Sequence, residues 1–326
     1  MSAVFSPGFW AFVGLIGGIY TIFALGLHLQ IGFTGIVNFG HVAFMAIGSY
    51  TMALLVVGLN WPFWLASVAA VLAAMAASAL LGLATLQLRN EYMAISTIAF
   101  AEIIRYLAMN LSNLTGGVRG STNLFNRGET TTYNHGWRAF QDSLQDWLQS
   151  IFGEVITRDL TMLVIVWSTA FALILLLQVL VKSPWGRTLK AIREDPDAAA
   201  AMGKNVLSYK LQAMAIGSAL GAMAGLFFAF QFSFFAPLDF ETLISFFAFI
   251  IIILGGIGRN WGVPVGAAIF GLIYAGTRFF EFWPLSMFSS TERAYLRFII
   301  IGALLIALVL YRPQGIFGKR EEMLLE

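Results

Sequence analysis

The sequence predicts an all-α fold, a polytopic transmembrane helix bundle of about eight to ten spans with broken or re-entrant segments. The composition indicates this first: 59% of the 326 residues are hydrophobic and 11% are charged, whereas a soluble domain carries about 25% charged residues. The arrangement of those residues agrees, because they form runs close to the roughly 20 residues that cross about 30 Å of hydrocarbon. We therefore treat 1–326 as one transmembrane domain.

Nine apolar runs define the predicted spans. They lie at 9–29, 38–59, 62–86, 92–111, 160–181, 209–232, 240–257, 263–282 and 294–311. The 32 glycines in the chain suit closely packed membrane helices. A glycine-dense junction at 254–266 predicts a tight turn between two of the spans.

A charged interruption lies at Lys182–Lys210, which holds six Lys/Arg and three Asp/Glu. Charged segments of this length do not stay in hydrocarbon, and the basic excess predicts the cytoplasmic side. We therefore interpret 182–208 as a cytoplasmic loop. By alternation, 112–159 is an external loop, 312–326 is a cytoplasmic tail and the N-terminus is external. Within the external loop, apolar residues at helical spacing over 140–151 predict an amphipathic helix.

Inside the cytoplasmic loop, the run from Pro196 to Gly203 predicts a short helix. Pro196 suits a first helical turn, Asp197 suits the positive end of the helix dipole, and the four alanines that follow favour helix. Gly203 permits the chain to turn afterwards. A helix of this kind suits docking into a groove on a soluble partner, and an ordinary solvated loop is the other interpretation.

A second feature is the hydrophobic stretch 31–48, which glycines at 32, 35 and 40 interrupt. Broken backbone at membrane depth occurs where protein buries it or where it lines an aqueous cavity. The N-terminus of a half-helix there offers N–H groups to a carboxylate, so Gly35, Asn38, Gly40 and His41 are candidates for a substrate path. Small-residue helix packing is the alternative, and His41 suits either a hydrogen-bonded packing role or proton transfer.

Glu102 and Arg105 are three residues apart and share one helix face. An unpaired charge at mid-bilayer costs about 2.5–3.5 kcal/mol, so we expect the two to pair or to face the bundle interior. A structural ion pair and direct substrate contact both fit this spacing.

At the predicted outer end of the same span, Thr115, Gly116 and Gly117 begin a glycine-rich exit with exposed N–H donors. Such donors suit an anionic group on the substrate path. An ordinary loop is the alternative.

The sequence lacks the residues that several classes of function require. The chain has no cysteine and three histidines, which argues against a metal cluster of the usual kind. Gly203-Lys204 is followed by Asn205, so the phosphate-binding loop of an ATPase is missing. We expect no catalytic residue, no metal and no cofactor in this chain. Rows of membrane carboxylates, which an ion-coupled transporter uses as a proton relay, are also missing.

Six runs appear in an order that resembles one family, the permease subunits of branched-chain amino acid ABC importers of the leucine-isoleucine-valine type. They are GFTGIVNFGHVAFMAIGSYTMALL (32–55), LQLRNEYMAISTIAFAEIIR (86–105), LTGGVRGS (114–121), SPWGRTLKAIREDPDAAAAMG (183–203), LGGIGRNWGVPVGAA (254–268) and RPQGIFG (312–318). One departure is Asp197, which stands where the family's coupling loop usually has Glu. The likeness leaves 124–160 as the part particular to this chain.

The resemblance implies a multi-pass permease of the bacterial plasma (inner) membrane that imports branched-chain or other neutral amino acids by alternating access. It implies a second homologous permease, two cytoplasmic ATPases that bind ATP and magnesium, and an extracytoplasmic substrate-binding protein, with membrane lipid around the bundle and no nucleic acid. Similar permeases serve urea and short amides, so that substrate class stays open. An ion-coupled secondary transporter and a passive solute channel are the remaining alternatives.

The resemblance also implies that the loop couples the permease to its ATPases. The expected coupling residues are Arg187, Arg193, Glu194, Asp197, Ala198, Ala199 and Gly203. Of the charged ones, Glu194 and Asp197 suit basic groups on the partner. Arg187, Lys190 and Arg193 suit acidic groups on the partner or lipid phosphates.

Overall fold

The computed structural model describes residues 7–126, 133–153, 155–279, 289–311 and 315–316. All regular structure in these ranges is helical, and a helix occupies each of the nine predicted spans. The predicted tail 312–326 lies, apart from 315–316, outside the described residues.

The described ranges contain thirteen α-helices. They are α1 (Pro7–Thr34), α2 (Val42–Leu59), α3 (Phe63–Thr85), α4 (Asn90–Asn110), α5 (Ser112–Thr115), α6 (His135–Phe152), α7 (Arg158–Lys182), α8 (Pro184–Glu194), α9 (Pro196–Ala201), α10 (Val206–Phe232), α11 (Leu243–Gly255), α12 (Gly262–Phe279) and α13 (Ser290–Tyr311). Among the described residues, six helices are long and apolar enough to cross a membrane, namely α1, α2, α3, α4, α7 and α10. The chain is thus a multi-pass membrane protein.

Helix α10 occupies the centre of the bundle, where α1, α2 and α3 pack around it. Gly217, Gly221 and Gly225 recur at four-residue spacing along its face. A Cβ on Gly217 would lie 2.7 Å from the Gly26 carbonyl oxygen of α1, and one on Gly225 would lie 2.1 Å from the Met45 carbonyl oxygen of α2. The small residues therefore bring the three backbones together, as is usual for membrane helices.

The helix ends divide between two sides of the bundle. One side of the bundle carries α8, with the ends of α1 and α7 and the α11–α12 turn beside it. We call this the α8–α9 side. On the opposite side, α6 packs on the bundle through Trp137, whose ring stacks on Phe230 of α10 at 4.3 Å. Helix α6 is longer than the predicted amphipathic segment, because it begins at His135.

The break in the first apolar stretch is narrower than the glycine pattern predicts. Helix α1 continues through Gly32 to Thr34, and the non-helical residues are 35–41. The prediction that Gly32 interrupts the helix is therefore wrong. Gly35 has a positive φ of 69° and is the residue at which the chain leaves the helix.

Candidate functional site

Helix α8 is anchored in the bundle although it follows a transmembrane span. Its N-cap Ser183 accepts the Gly186 N–H at 3.4 Å, and Pro184 fills the first turn. Leu189 and Ile192 point inward and are 0% exposed. In the first turn of α8, Trp185 donates its indole N–H to the Gln212 side chain of α10 at 2.8 Å. Helix α8 is therefore packed against the bundle.

Arg193 connects α8 to the broken span. Its guanidinium donates to the Gly32 carbonyl oxygen at 2.7 Å, in the last turn of α1. Carbonyls in the last turn of a helix lack intrahelical donors, and this end of the helix carries partial negative charge. A guanidinium supplies both a hydrogen-bond donor and a positive charge. Arg193 thus reaches back into the permease, and whether it also meets a partner stays a prediction.

Helix α9 forms where the alanine run predicts it. Its N-cap is Asp195, whose carboxylate accepts the N–H groups of Asp197 and Ala198, both at 2.9 Å. At the other end, the Gly203 N–H binds the Ala200 carbonyl and the next N–H binds the Ala199 carbonyl, at 2.9 and 3.1 Å. This is a Schellman ending, and the φ of +78° at Gly203 is the reason that glycine suits the position.

An open groove of about 560 Å³ lies between α8 and α9. Four of the predicted coupling residues line it, namely Arg187, Glu194, Ala198 and Ala199. Met202 also lines it and is 80% exposed. Flexible apolar methionine beside charges of both signs suits a protein partner. Asp197 lies in α9, and Gly203 follows the end of that helix.

The predicted substrate-path residues of the break form a buried polar cluster. The Asn38 amide donates to the Gln30 side chain at 2.9 Å and accepts the Gly40 N–H at 3.0 Å. His41 is 0% exposed, and its ring lies 4.9 Å from that of Phe23. These contacts hold the break in one shape within the described structure.

The N–H groups that begin α2 already have acceptors. Val42 donates to the Ser245 hydroxyl of α11 at 2.9 Å, and Ala43 donates to the Gly40 carbonyl at 3.0 Å. The expected free donors for a carboxylate are therefore used internally in this conformation. The Val42 bond joins α2 to α11, whereas the Ala43 bond lies within the segment itself.

Glu102 and Arg105 form a salt bridge of 2.6 Å within α4. The Glu102 carboxylate also accepts the Thr242 hydroxyl, 2.8 Å away, at the start of α11. One carboxylate therefore joins α4 to α11. A structural role and substrate contact both remain compatible with this geometry.

The glycine-rich segment after α4 is packed in the described structure. The Thr115 hydroxyl donates to the Ala108 and Leu111 carbonyls at 2.5 and 2.9 Å. Thr115 and both glycines that follow it are buried. Further on, the Ser121 N–H donates to the Phe235 carbonyl at 2.8 Å, which ties the segment to the chain before α11. Its N–H donors are thus largely occupied by protein.

The structure brings the predicted residues together in two regions rather than one. The coupling residues share α8 and α9, whereas the substrate-path candidates lie around 35–41 and 115–117. Sequence reasoning missed several contact residues, which are Thr97, Trp185, Asp195, Thr242 and Ser245. Only Asp195 had a local signal, since Asp before Pro suits an N-cap. No group of three or more potential metal ligands occurs in the ranges that the structure describes.

A membrane-spanning bundle in which the anchored helix α8 carries the exposed helix α9, and in which Arg193 joins α8 to a broken span, suits a transport subunit. The family model for the branched-chain amino acid transport system permease component matches residues 11–309, and the chain belongs to this family.

Individual relatives agree with this assignment. The permease protein LivM of the high-affinity branched-chain amino acid transport system is 32% identical in both Salmonella typhimurium and Escherichia coli K12, over 91% of this chain and 67% of the relative. The permease protein LivH of Salmonella typhimurium is 27% identical over 94% of this chain and 93% of its own length. No solved structure matches significantly.

Proposed function

We propose that this permease subunit imports branched-chain or other neutral amino acids in an ATP-driven complex. The partners are a second homologous permease, two cytoplasmic ATPases that bind ATP and magnesium, and an extracytoplasmic substrate-binding protein. Support for two permeases comes from the relatives, because Salmonella typhimurium has both LivM and LivH. This chain binds no cofactor and catalyses no covalent step.

The observation that carries the proposal is the α8–α9 groove together with its link to α1. An ATPase seated in the groove contacts Arg187, Glu194 and Met202. Its movement then passes through the buried face of α8 and through Arg193 to the last turn of α1. That turn precedes the break at 35–41, so the force reaches the start of α2.

Alternating access follows from this linkage. Displacement of α1 strains the contact between Val42 and Ser245, because Val42 follows the break and Ser245 belongs to α11. Separation of α2 from α11 frees the Val42 N–H at the start of α2. We infer that the substrate carboxylate meets this donor near Gly35, Asn38, Gly40 and His41, after passing Thr115–Gly117.

The proposed location is the bacterial inner membrane, with the α8–α9 side and the C-terminus in the cytoplasm. Because the chain has no cysteine, single introduced cysteines report their side directly. Ala198→Cys in α9 should react with a membrane-impermeant maleimide only in opened cells, and Gln149→Cys in α6 should react in intact cells. Labelling of Ala198→Cys in intact cells would refute this orientation.

Substrate class is tested by uptake of labelled leucine in membranes that carry the complete system. Unlabelled leucine, alanine, proline and urea are compared as competitors. Competition by the amino acids and not by urea supports the proposal. Competition by urea alone favours the urea and short-amide alternative.

A further inference from the structure

A cavity of about 280 Å³ lies on the α8–α9 side, away from the coupling groove, where α7, α8 and the α11–α12 turn meet. Three cationic residues line it, namely Lys182, Lys190 and Arg259. The salt bridges formed within the described residues lie elsewhere, so the three cations have no carboxylate partner there. Three like charges at one cavity repel one another unless an anion joins them.

Two further side chains shape the cavity for a polar ligand. The Lys190 ammonium lies 5.8 Å from the centre of the Phe33 ring, which holds it beside the opening. Asn260 is 3% exposed, and its Oδ1 lacks a hydrogen-bond donor among the described residues. A buried acceptor of this kind is costly unless a donor reaches it. A ligand that carries both an anionic oxygen and a hydroxyl group would satisfy the cations and Asn260 together.

The cavity also has an apolar approach from the lipid side. Phe171, Leu175 and Lys182 lie on one face of α7, since their spacings are close to whole helical turns. Phe171 and Leu175 are 52% and 44% exposed. At the cavity edge, the Trp261 ring lies 5.8 Å from that of Phe171 and is 47% exposed. The exposed side chains thus change from apolar Phe171 and Leu175, through Trp261, to cationic Lys182. This order matches a lipid, whose apolar acyl chain leads to a polar headgroup.

We propose that this cavity binds the phosphate of an anionic glycerophospholipid whose headgroup carries a hydroxyl. The phosphate lies among Lys182, Lys190 and Arg259, and the hydroxyl donates to Asn260. One acyl chain follows the exposed face of α7. Basic pockets between transmembrane helices are the usual sites for such headgroups. The bound lipid fixes α8 and the α11–α12 turn relative to α7.

The test counts bound lipid by native mass spectrometry on the delipidated full-length chain. Phosphatidylglycerol is titrated against phosphatidylcholine, which has the same chains and no net charge. The test variant is Lys182→Gln, Lys190→Gln and Arg259→Gln together. The matched control is Arg89→Gln, Arg119→Gln and Lys204→Gln, which removes three charges without touching the cavity lining.

Wild type and the control should prefer phosphatidylglycerol, and the test variant should lose that preference. The affinity should fall about fivefold for each charge removed and roughly 100-fold for all three at low salt. Asn260→Leu should reduce the preference for phosphatidylglycerol over phosphatidic acid, which lacks the headgroup hydroxyl.

Three outcomes would overturn the proposal. The first is equal phosphatidylglycerol binding by wild type and the test variant. The second is displacement of the lipid by excess inorganic phosphate alone, which would indicate a free-phosphate site. The third is a lack of lipid preference in wild type together with loss of ATPase association in the test variant, which would indicate an acidic protein segment. The lipid count requires no partner subunit, so it is independent of the proposed transport function.

Discussion

At the scale of single residues, Gly40 marks the closest approach between the break and α4. A Cβ at this position would lie 1.8 Å from the Thr97 carbonyl oxygen. On the same helix, the Thr97 hydroxyl accepts the Phe39 N–H at 3.1 Å. The broken span is therefore held against α4 by a contact that leaves no room for a side chain.

Gly40→Ala should destabilise the protein by about 1–3 kcal/mol, because the new methyl group forces backbone apart in a packed interior. The measurement is the thermal unfolding midpoint in detergent. Gly302→Ala in α13 is the matched control, since a Cβ there has nothing within 4 Å. That control should be neutral or slightly stabilising, as glycine is a weak helix former. Equal effects of the two variants would contradict the contact.

Glu102→Gln should destabilise the chain by about 2.5–3.5 kcal/mol, because it leaves Arg105 unpaired within a membrane span. The double variant with Arg105→Gln should recover part of that loss. Asp142→Asn, which breaks the exposed pair with Arg158, should cost about 0–1 kcal/mol and serves as the control. The measurement is again the unfolding midpoint, followed by substrate uptake. Recovery of stability without recovery of uptake would favour substrate contact over a purely structural pair.

These residues show how far the sequence predicts a site. The three-residue spacing of Glu102 and Arg105 indicates their pairing, because both lie on one helix. Thr242 is 140 positions away from Glu102 and carries no local signal. Likewise, the glycines reveal that backbone is broken or closely packed, but the partner that excludes a side chain from Gly40 depends on how α4 lies in the bundle.

At the scale of elements, α8 and α9 have different environments. Helix α8 buries Leu189 and Ile192 completely, whereas the only buried residue of α9 is Ala199. One helix is therefore part of the bundle and the other is its exposed extension. We propose that the groove-lining residues of both helices bind a partner and that the buried face of α8, with Arg193, transmits its movement.

Arg193→Ala should leave ATPase binding intact and reduce transport about tenfold or more. It removes a charged hydrogen bond to α1, and such bonds contribute about 1.5–3 kcal/mol. Arg187→Ala should instead weaken co-purification of the ATPase, because Arg187 lines the groove. The two measurements are the amount of ATPase retained with the purified permease and the uptake per retained complex. Loss of ATPase binding in Arg193→Ala would contradict the division between the groove-lining residues and Arg193.

The elements themselves were largely predictable. Spans depend on local length and apolarity, so each of the nine runs corresponds to a helix. Helix α9 was predictable from its proline, its alanines and Gly203. Helix α8 was not predicted, because the charged residue between Leu189 and Ile192 obscures their apolar helical spacing. Their burial results from contact with the bundle, which sequence alone does not give.

At the scale of the whole molecule, the sequence lacks a phosphate-binding loop, and an exposed groove lies between α8 and α9. The family assignment covers 11–309 and agrees with this arrangement. We propose that the bundle changes conformation when a partner drives it.

Reconstitution tests this dependence directly. Liposomes that contain this chain alone should take up no leucine or urea, with or without an ion gradient. Adding the second permease, the ATPases and the binding protein should produce uptake that requires ATP in the compartment facing α8 and α9.

The comparison is the same complex with Glu194 and Asp197 replaced by lysine, so that positive charges replace negative ones toward the partner. Uptake should fall at least tenfold, because each mismatched charge costs on the order of 1 kcal/mol or more. Ion-driven uptake by the chain alone would identify a secondary transporter, and passive urea flux would identify a channel. Either result would show that the movement of α1 and α2 does not need an external motor.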